Sequence, residues 1–264
     1  MMNQPMTQTA PNLTVAPAHV VLAAAGKTVL RPGGRAATEQ LFQWANFNPG
    51  ETVLELASGL GDSAIALAKR YNVQVLGIEK DADRVAIAQA KARSAGLEHQ
   101  VQFTQGNIFE LETLSSSFDY VLAEAILTMQ TSAGKAKILA GVRDRLKVGG
   151  KFLSHELLAR DHLAALHQDL TQVMHVNATP LPEQDWINTF NAVGLTVTQQ
   201  QSGAMKLLDP VQVLRDEGIM HTVQIAWNLL TQPVIRSRIL AIRQVLTQHQ
   251  QDLGYIAFCA VRAL

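Results

Sequence analysis

A series of carboxylates and one histidine stands where short apolar runs end. Glu55 sits in Val53–Leu56, Glu79 closes Val73–Ile78, Glu124 closes Phe118–Ala123, and His155 with Glu156 lies toward the end of Lys151–Leu158. A carboxylate at such a position accepts hydrogen bonds from paired hydroxyls or holds a cation, and a histidine there titrates near neutral pH and serves as a base. Arg31 and Arg35 flank Pro32-Gly33-Gly34, where a guanidinium fork beside flexible backbone suits the carboxylate of a bound amino-acid moiety. Between Glu55 and Gly61 the chain reads E-L-A-S-G-L-G, and Gly59 and Gly61 let backbone approach a ligand that a Cβ would obstruct. The histidines are irregularly spaced and Cys259 is the single cysteine, which gives no zinc ligand set, so no metal is expected.

These groups need elements that bring them to one edge. Thr52–Leu56 reads as a strand covered on both faces, Gly59 and Gly61 form a turn, and Asp62 opens a helix over Ser63–Tyr71. Strand, glycine turn and helix N-terminus together make a nucleotide-binding element. Val73–Glu79, Val101–Gln105, Phe118–Ala123 and Lys151–Leu158 follow as strands, with helices over Ala82–Ala95, closed by Gly96, and from Ser132 through Leu146. Gly194–Gln200 and Gly254–Arg262 read as the last two strands. Ahead of all these, Pro17–Gly26 reads as a short helix and Ala36–Phe47 as a longer one with Leu41, Phe42 and Trp44 as packing residues. An open parallel sheet binds ligands at the carboxyl ends of its strands, which is where Glu79, Glu124 and His155 are expected. The run Gly59 to Ala64 is also G-x-G-x-x-A with Glu79 about 20 residues on, so an NAD-type Rossmann oxidoreductase stays open.

The run from Glu55 to Gly61 resembles motif I of the class I S-adenosylmethionine-dependent methyltransferases, with Ala57 in place of the first glycine. Glu79, Gly106-Asn107-Ile108, Phe118–Glu124 and R-L-K-V-G-G-K-F-L around Gly149 resemble that family's later segments in register. The resemblance covers roughly Val53–Leu158 and implies an α/β, Rossmann-like seven-stranded sheet of order 3-2-1-4-5-7-6 with an antiparallel last strand and helical insertions. It also implies S-adenosylmethionine as cofactor and S-adenosylhomocysteine as product. The cofactor set is Arg31, Gly34, Glu55, Ala57, Ser58, Gly59, Gly61, Glu79, Lys80, Asn107, Ile108 and Glu124. Within it, Glu79 holds the ribose hydroxyls, Asn107 the adenine amino group and Glu124 the amino group of the cofactor or the acceptor. His155 is the candidate base, and Glu124 shares the catalytic role. The departures at Ala57 and Asn107 keep a non-catalytic S-adenosylmethionine-binding protein in view.

The chain has 264 residues, 47% of them hydrophobic, enough for one large core. Residues 1–14, rich in Gln, Thr and Pro, are expected to be a mobile tail, and 15–264 one methyltransferase domain with lid or substrate insertions at 160–185 and 204–252. Twenty-two Lys and Arg balance 22 Asp and Glu, so no nucleic-acid partner is expected. No apolar run is long enough to span a bilayer, and the start lacks a signal-peptide pattern. One cysteine agrees with a cytoplasmic location, and a homo-oligomer stays possible. Neutral charge with Trp186, Phe190 and Trp227 in or beside the insertions points to a small, fairly apolar methyl acceptor. Ile219, Val223, Ala226, Trp227 and Leu230 fall on one helical face that is expected to pack on the domain, with a lid or a membrane-facing surface as the less frequent readings and no net basic balance in favour of the membrane.

Overall fold

A computed structural model describes residues 12–161 and 163–263. The first eleven residues of the expected tail lie outside the described residues, and residues 12–15 form a turn in which the Val15 N–H donates to the Asn12 carbonyl. Two helices precede the sheet, α1 (Ala18–Ala24) and α2 (Gly34–Ala45).

The strands are β1 (Thr52–Leu56), β2 (Gln74–Glu79), β3 (Val101–Gln105), β4 (Phe118–Glu124), β5 (Leu146–Ala159), β6 (Leu195–Ala204) and β7 (Leu253–Arg262). They form one sheet in the order β3-β2-β1-β4-β5-β7-β6. β1 to β5 pair in parallel, and β7 runs antiparallel to both β5 and β6. The expected topology is therefore observed.

Alternation along the central strands sends neighbouring residues to opposite faces. Val53, Val75, Leu122 and Leu153 pack under α2, α3 (Asp62–Tyr71) and α4 (Ala82–Ser94) through Leu41, Leu67 and Ala88. Leu54, Leu56 and Val121 pack against α5 (Ser132–Arg145) and α7 (Glu183–Asn191) through Ile138, Leu139, Trp186 and Phe190. Several ends carry their own signals. The Asp81 side chain caps α4 by accepting from Asp83 and Arg84 N–H, and Thr131 caps α5 by accepting from Gly134 N–H.

Three expectations need correction. Trp186 and Phe190 do not face an acceptor. Both are fully buried, because α7 is the crossover helix between β5 and β6, and the Trp186 indole N–H donates to the Leu157 carbonyl at 3.0 Å. The fifth strand is longer than Lys151–Leu158, since it begins at Leu146, opposite Phe118 of β4, and pairing with β7 carries it to Ala159. Finally, Ile219, Val223, Trp227 and Leu230 do not seat their helix on the domain but are exposed. Their helix α8 (Pro210–Thr231) is broken at Gly218, whose φ of 75° and ψ of 172° suit glycine alone, and the C-terminal half turns Ile225 inward instead. α6 (Leu163–Met174), α8 and α9 (Pro233–Gln248) join α1 in a helical cap over the β5 to β7 side.

Candidate cofactor and active site

The carboxyl ends of β1, β2 and β4 meet the N-terminal segment in two adjoining clusters. The first is the motif I turn. Ala57, Gly59 and Gly61 all have left-handed backbone, with φ of 52°, 56° and 79°. At Ala57, which stands where the family has its first glycine, this conformation disfavours a side chain by about 1–2 kcal/mol. A Cβ on Gly59 would meet nothing within 4 Å, whereas one on Gly61 would run into the Phe103 ring. Gly59 thus leaves open space above β1, and Gly61 lets α3 pack on β3.

Glu79 completes this cluster. Its Oε2 accepts from the Gly59 N–H at 2.9 Å, and its Oε1 accepts from the N–H groups of Lys80 and Asp81 at 2.8 and 3.1 Å. Backbone donors therefore fix the carboxylate at the strand end. Lys80 contributes through its main chain, its side chain being exposed. His19 of α1 reaches over the same place. Its ring interacts with Glu79 and Arg84, burial depresses its pKa, and Nδ1 is buried without a hydrogen-bond partner. The Ser58 hydroxyl is a second buried, unpartnered group. Open space at Gly59 and two unsatisfied polar atoms beside a fixed carboxylate fit a polar ligand such as a nucleoside. Asn107 follows Gly106, whose N–H donates to the Glu79 carbonyl at 2.9 Å, but its own side chain is engaged locally. Its Oδ1 accepts from Phe109 N–H and its Nδ2 donates to Glu110, closing the turn after β3, with Ile108 half-buried against the core.

The second cluster centres on Glu124. Its carboxylate is almost fully buried and takes an ion pair from Arg31, a 2.5 Å bond from Thr38 Oγ1 and a 3.2 Å bond from Ser63 Oγ. These donors belong to the segment before α2, to α2 and to α3. Burial raises the Glu124 pKa, but Arg31 and the other donors outweigh it and hold the carboxyl down at about 2. Glu55 lies close by with the opposite outcome. Burial first, then the charge of Glu124, push its pKa up to about 8, and its Oε2 has no partner. Two neighbouring carboxyls thus differ in charge at neutral pH, one ionised and one protonated.

His155 belongs to this cluster by register, since Glu124 and His155 are paired residues of β4 and β5. Its ring is fully buried. Nε2 accepts from the Gly33 N–H at 2.9 Å, Nδ1 lies 3.6 Å from Glu124 Oε1, and the Tyr255 ring packs edge-on against it. Burial lowers its pKa. The exposure expected of a strand-end histidine is absent because β5 continues past it, paired with β7, and the 31–34 segment roofs it. Glu156, on the other face, is held by Leu127 N–H, Thr128 N–H and Thr128 Oγ1. It orders the loop after β4.

Sequence reasoning missed what anchors that roof. Glu217 accepts from Lys27 Nζ, Thr28 N–H and Oγ1, and Val29 N–H at 2.6 to 3.2 Å. Asp216 accepts from Arg35 N–H at 3.0 Å, and a Cβ on Gly34 would strike its carboxylate. The only available signal was an acidic pair directly before a glycine inside a helical pattern. A cleft of about 400 Å³ opens beside the second cluster, lined among others by Arg31, Arg35, Thr38, Phe42, Ser63 and His221. Neither Gly59 nor Glu79 lines it, so it lies beside the first cluster instead of containing it.

A seven-stranded sheet of this order, with a carboxylate fixed over a glycine turn at β1 and β2, defines a class I methyltransferase fold. The profile of the methyltransferase domain family matches residues 47–210. The chain belongs to that family and is an S-adenosylmethionine-dependent methyltransferase acting on a methyl acceptor. An uncharacterized protein of Haemophilus influenzae is 33% identical over 92% of this chain and 96% of its own length. Methyltransferase GfsG of Streptomyces halstedii is 27% identical over 51% of the chain, which spans only 48% of that relative. Among solved structures, a methyltransferase from Geobacter sulfurreducens in complex with S-adenosyl-L-homocysteine has a TM-score of 0.70 at 17% identity, covering 96% of this chain and 98% of its own. The dinucleotide reading of Gly59 to Ala64 is superseded by the family match. No helix among the described residues is long and apolar enough to cross a membrane.

Proposed function

We propose that the acceptor is a small molecule that enters through the cleft beside Arg31, and that the two clusters divide the work between cofactor and acceptor. The observation that carries this reading is Glu79, a carboxylate fixed by the Gly59 N–H beside open backbone. Glu79 takes the ribose hydroxyls, Ser58 and Gly59 face the same ligand, Asn107 and Ile108 border the base, and Arg31 with Gly34 lies toward the amino-acid end. S-adenosylmethionine, when bound, supplies an activated methyl on a sulfonium, so the chain's task is alignment. Glu124 and His155 do this indirectly, by holding Arg31, α2 and the Gly33 backbone where the ligands pass between them. A cleft of about 400 Å³ is of small-molecule size. Its mixed lining of Phe42, Arg35 and His221 supports an acceptor with polar as well as apolar parts. The balance of charged residues gives no net positive charge to draw a nucleic acid, and the buried, unbridged Cys259 suits a reducing cytoplasm.

Transfer of labelled methyl groups to a fractionated cell extract tests the acceptor class. Label is expected in the low-molecular-weight fraction. Label retained on protein or nucleic acid overturns the small-molecule reading.

A further inference from the structure

The exposed face of α8 has no use in the site described above. Ile219, Met220, Val223, Trp227 and Leu230 are 72, 81, 62, 65 and 70% exposed. About half a turn away on the same helix, Ile225 is buried, next to Gly26, and Asn228 Nδ2 donates to the Ala25 carbonyl. The apolar stripe therefore points directly away from the domain. A contiguous apolar stripe of this size on a folded surface marks an interaction site.

Charge says what covers it. From Gly218 to Ile235 the chain has no Asp, Glu, Lys or Arg. On either side of that run the exposed charges of α8 and α9 are Arg215, Arg236 and Arg243. Between 210 and 251 the only acids are Asp216 and Glu217, both buried against the segment that leads into α2. Asp209, exposed, caps the start of α8 by accepting from the Gln212 N–H, so from there to Gln251 the helix pair offers apolar side chains and guanidinium groups and no exposed carboxylate. A second copy docked across a two-fold axis would set arginine against arginine with nothing to neutralise them. An anionic lipid surface complements both features, and a tryptophan near the middle of the stripe suits the headgroup boundary.

We propose that α8 and the exposed side of α9 dock this protein on an anionic lipid surface. Ile219, Val223, Trp227 and Leu230 enter the acyl boundary, and Arg215, Arg236 and Arg243 meet headgroup phosphates. His221, on the same helix, lines the cleft, so the docked surface lies beside the acceptor's way in. The inference stands whatever the acceptor proves to be.

Co-sedimentation of the full chain with vesicles of phosphatidylcholine alone, or mixed with phosphatidylglycerol, provides the test, with tryptophan emission read in parallel. Binding and a blue shift are expected with the mixed vesicles only, and both should weaken as salt is raised. Val223→Glu should abolish binding, and Arg236→Ser with Arg243→Ser should weaken it at least tenfold. All three positions are exposed, so the variants should melt with the wild type. Absence of binding to mixed vesicles overturns the proposal, as does equal, salt-insensitive binding to both compositions. A dimer in light scattering that Val223→Glu dissolves, without vesicle binding, would assign the face to a second copy.

Discussion

His155 illustrates how one hydrogen bond changes a residue's role. With Nε2 engaged by the Gly33 N–H and the ring buried, it is suited to hold the roof of the site, not to take a proton from an acceptor. His155→Gln should therefore weaken binding of the cofactor while lowering turnover at saturation by less than about tenfold. A loss of a hundredfold or more in turnover with unchanged affinity would restore the base. Glu55 gives a pH signature. Its folded pKa, pushed up to about 8 from an ordinary 4.5, means that the folded state holds the proton more tightly across that window. Its contribution is thus complete below about pH 4.5 and declines as pH rises toward 8, by at most about 1.4 kcal/mol per pH unit. Glu55→Gln removes this slope, so the variant should gain on the wild type in urea melts taken from pH 5 to pH 8. Equal slopes would mean that Glu55 is already ionised.

At the level of elements, strand ends were legible because buried parallel strands are continuous apolar runs bounded by glycine or acid. Glu79 and Glu124 fell at the ends where they stand, and Val101–Gln105, an edge strand that alternates instead, was read to the residue. Side-chain direction was less legible. Nothing in Trp186 and Phe190 distinguishes a crossover helix from a lid, and the apolar face of α8 looks the same whether it meets the domain or turns from it. The clamp on residues 27–35 was invisible because it joins groups some 190 positions apart. Glu217→Ala tests it. Removing a buried acceptor that serves Lys27 and two backbone N–H groups should cost about 3 kcal/mol, and the loosened Arg31 segment should weaken cofactor binding as well. Normal affinity in a destabilised but folded variant would confine Glu217 to stability.

Across the whole molecule, a fixed sheet presents the Glu79 carboxylate at its edge, the group we propose receives the nucleoside, and a roof made of the N-terminal segment, α2 and the Asp216-Glu217 clamp closes the other side. On this arrangement Glu79 is expected to read the nucleoside end and the roof to close on the rest of the ligand. Isothermal titration of S-adenosylhomocysteine into wild type and Glu79→Ala measures this directly. Saturable binding to the wild type is expected, weakened in the variant by about 1–3 kcal/mol, the scale of a lost charged hydrogen bond, with no binding of NAD to either. Unchanged affinity in a folded Glu79→Ala protein, or saturable NAD binding without a response to S-adenosylhomocysteine, would contradict it.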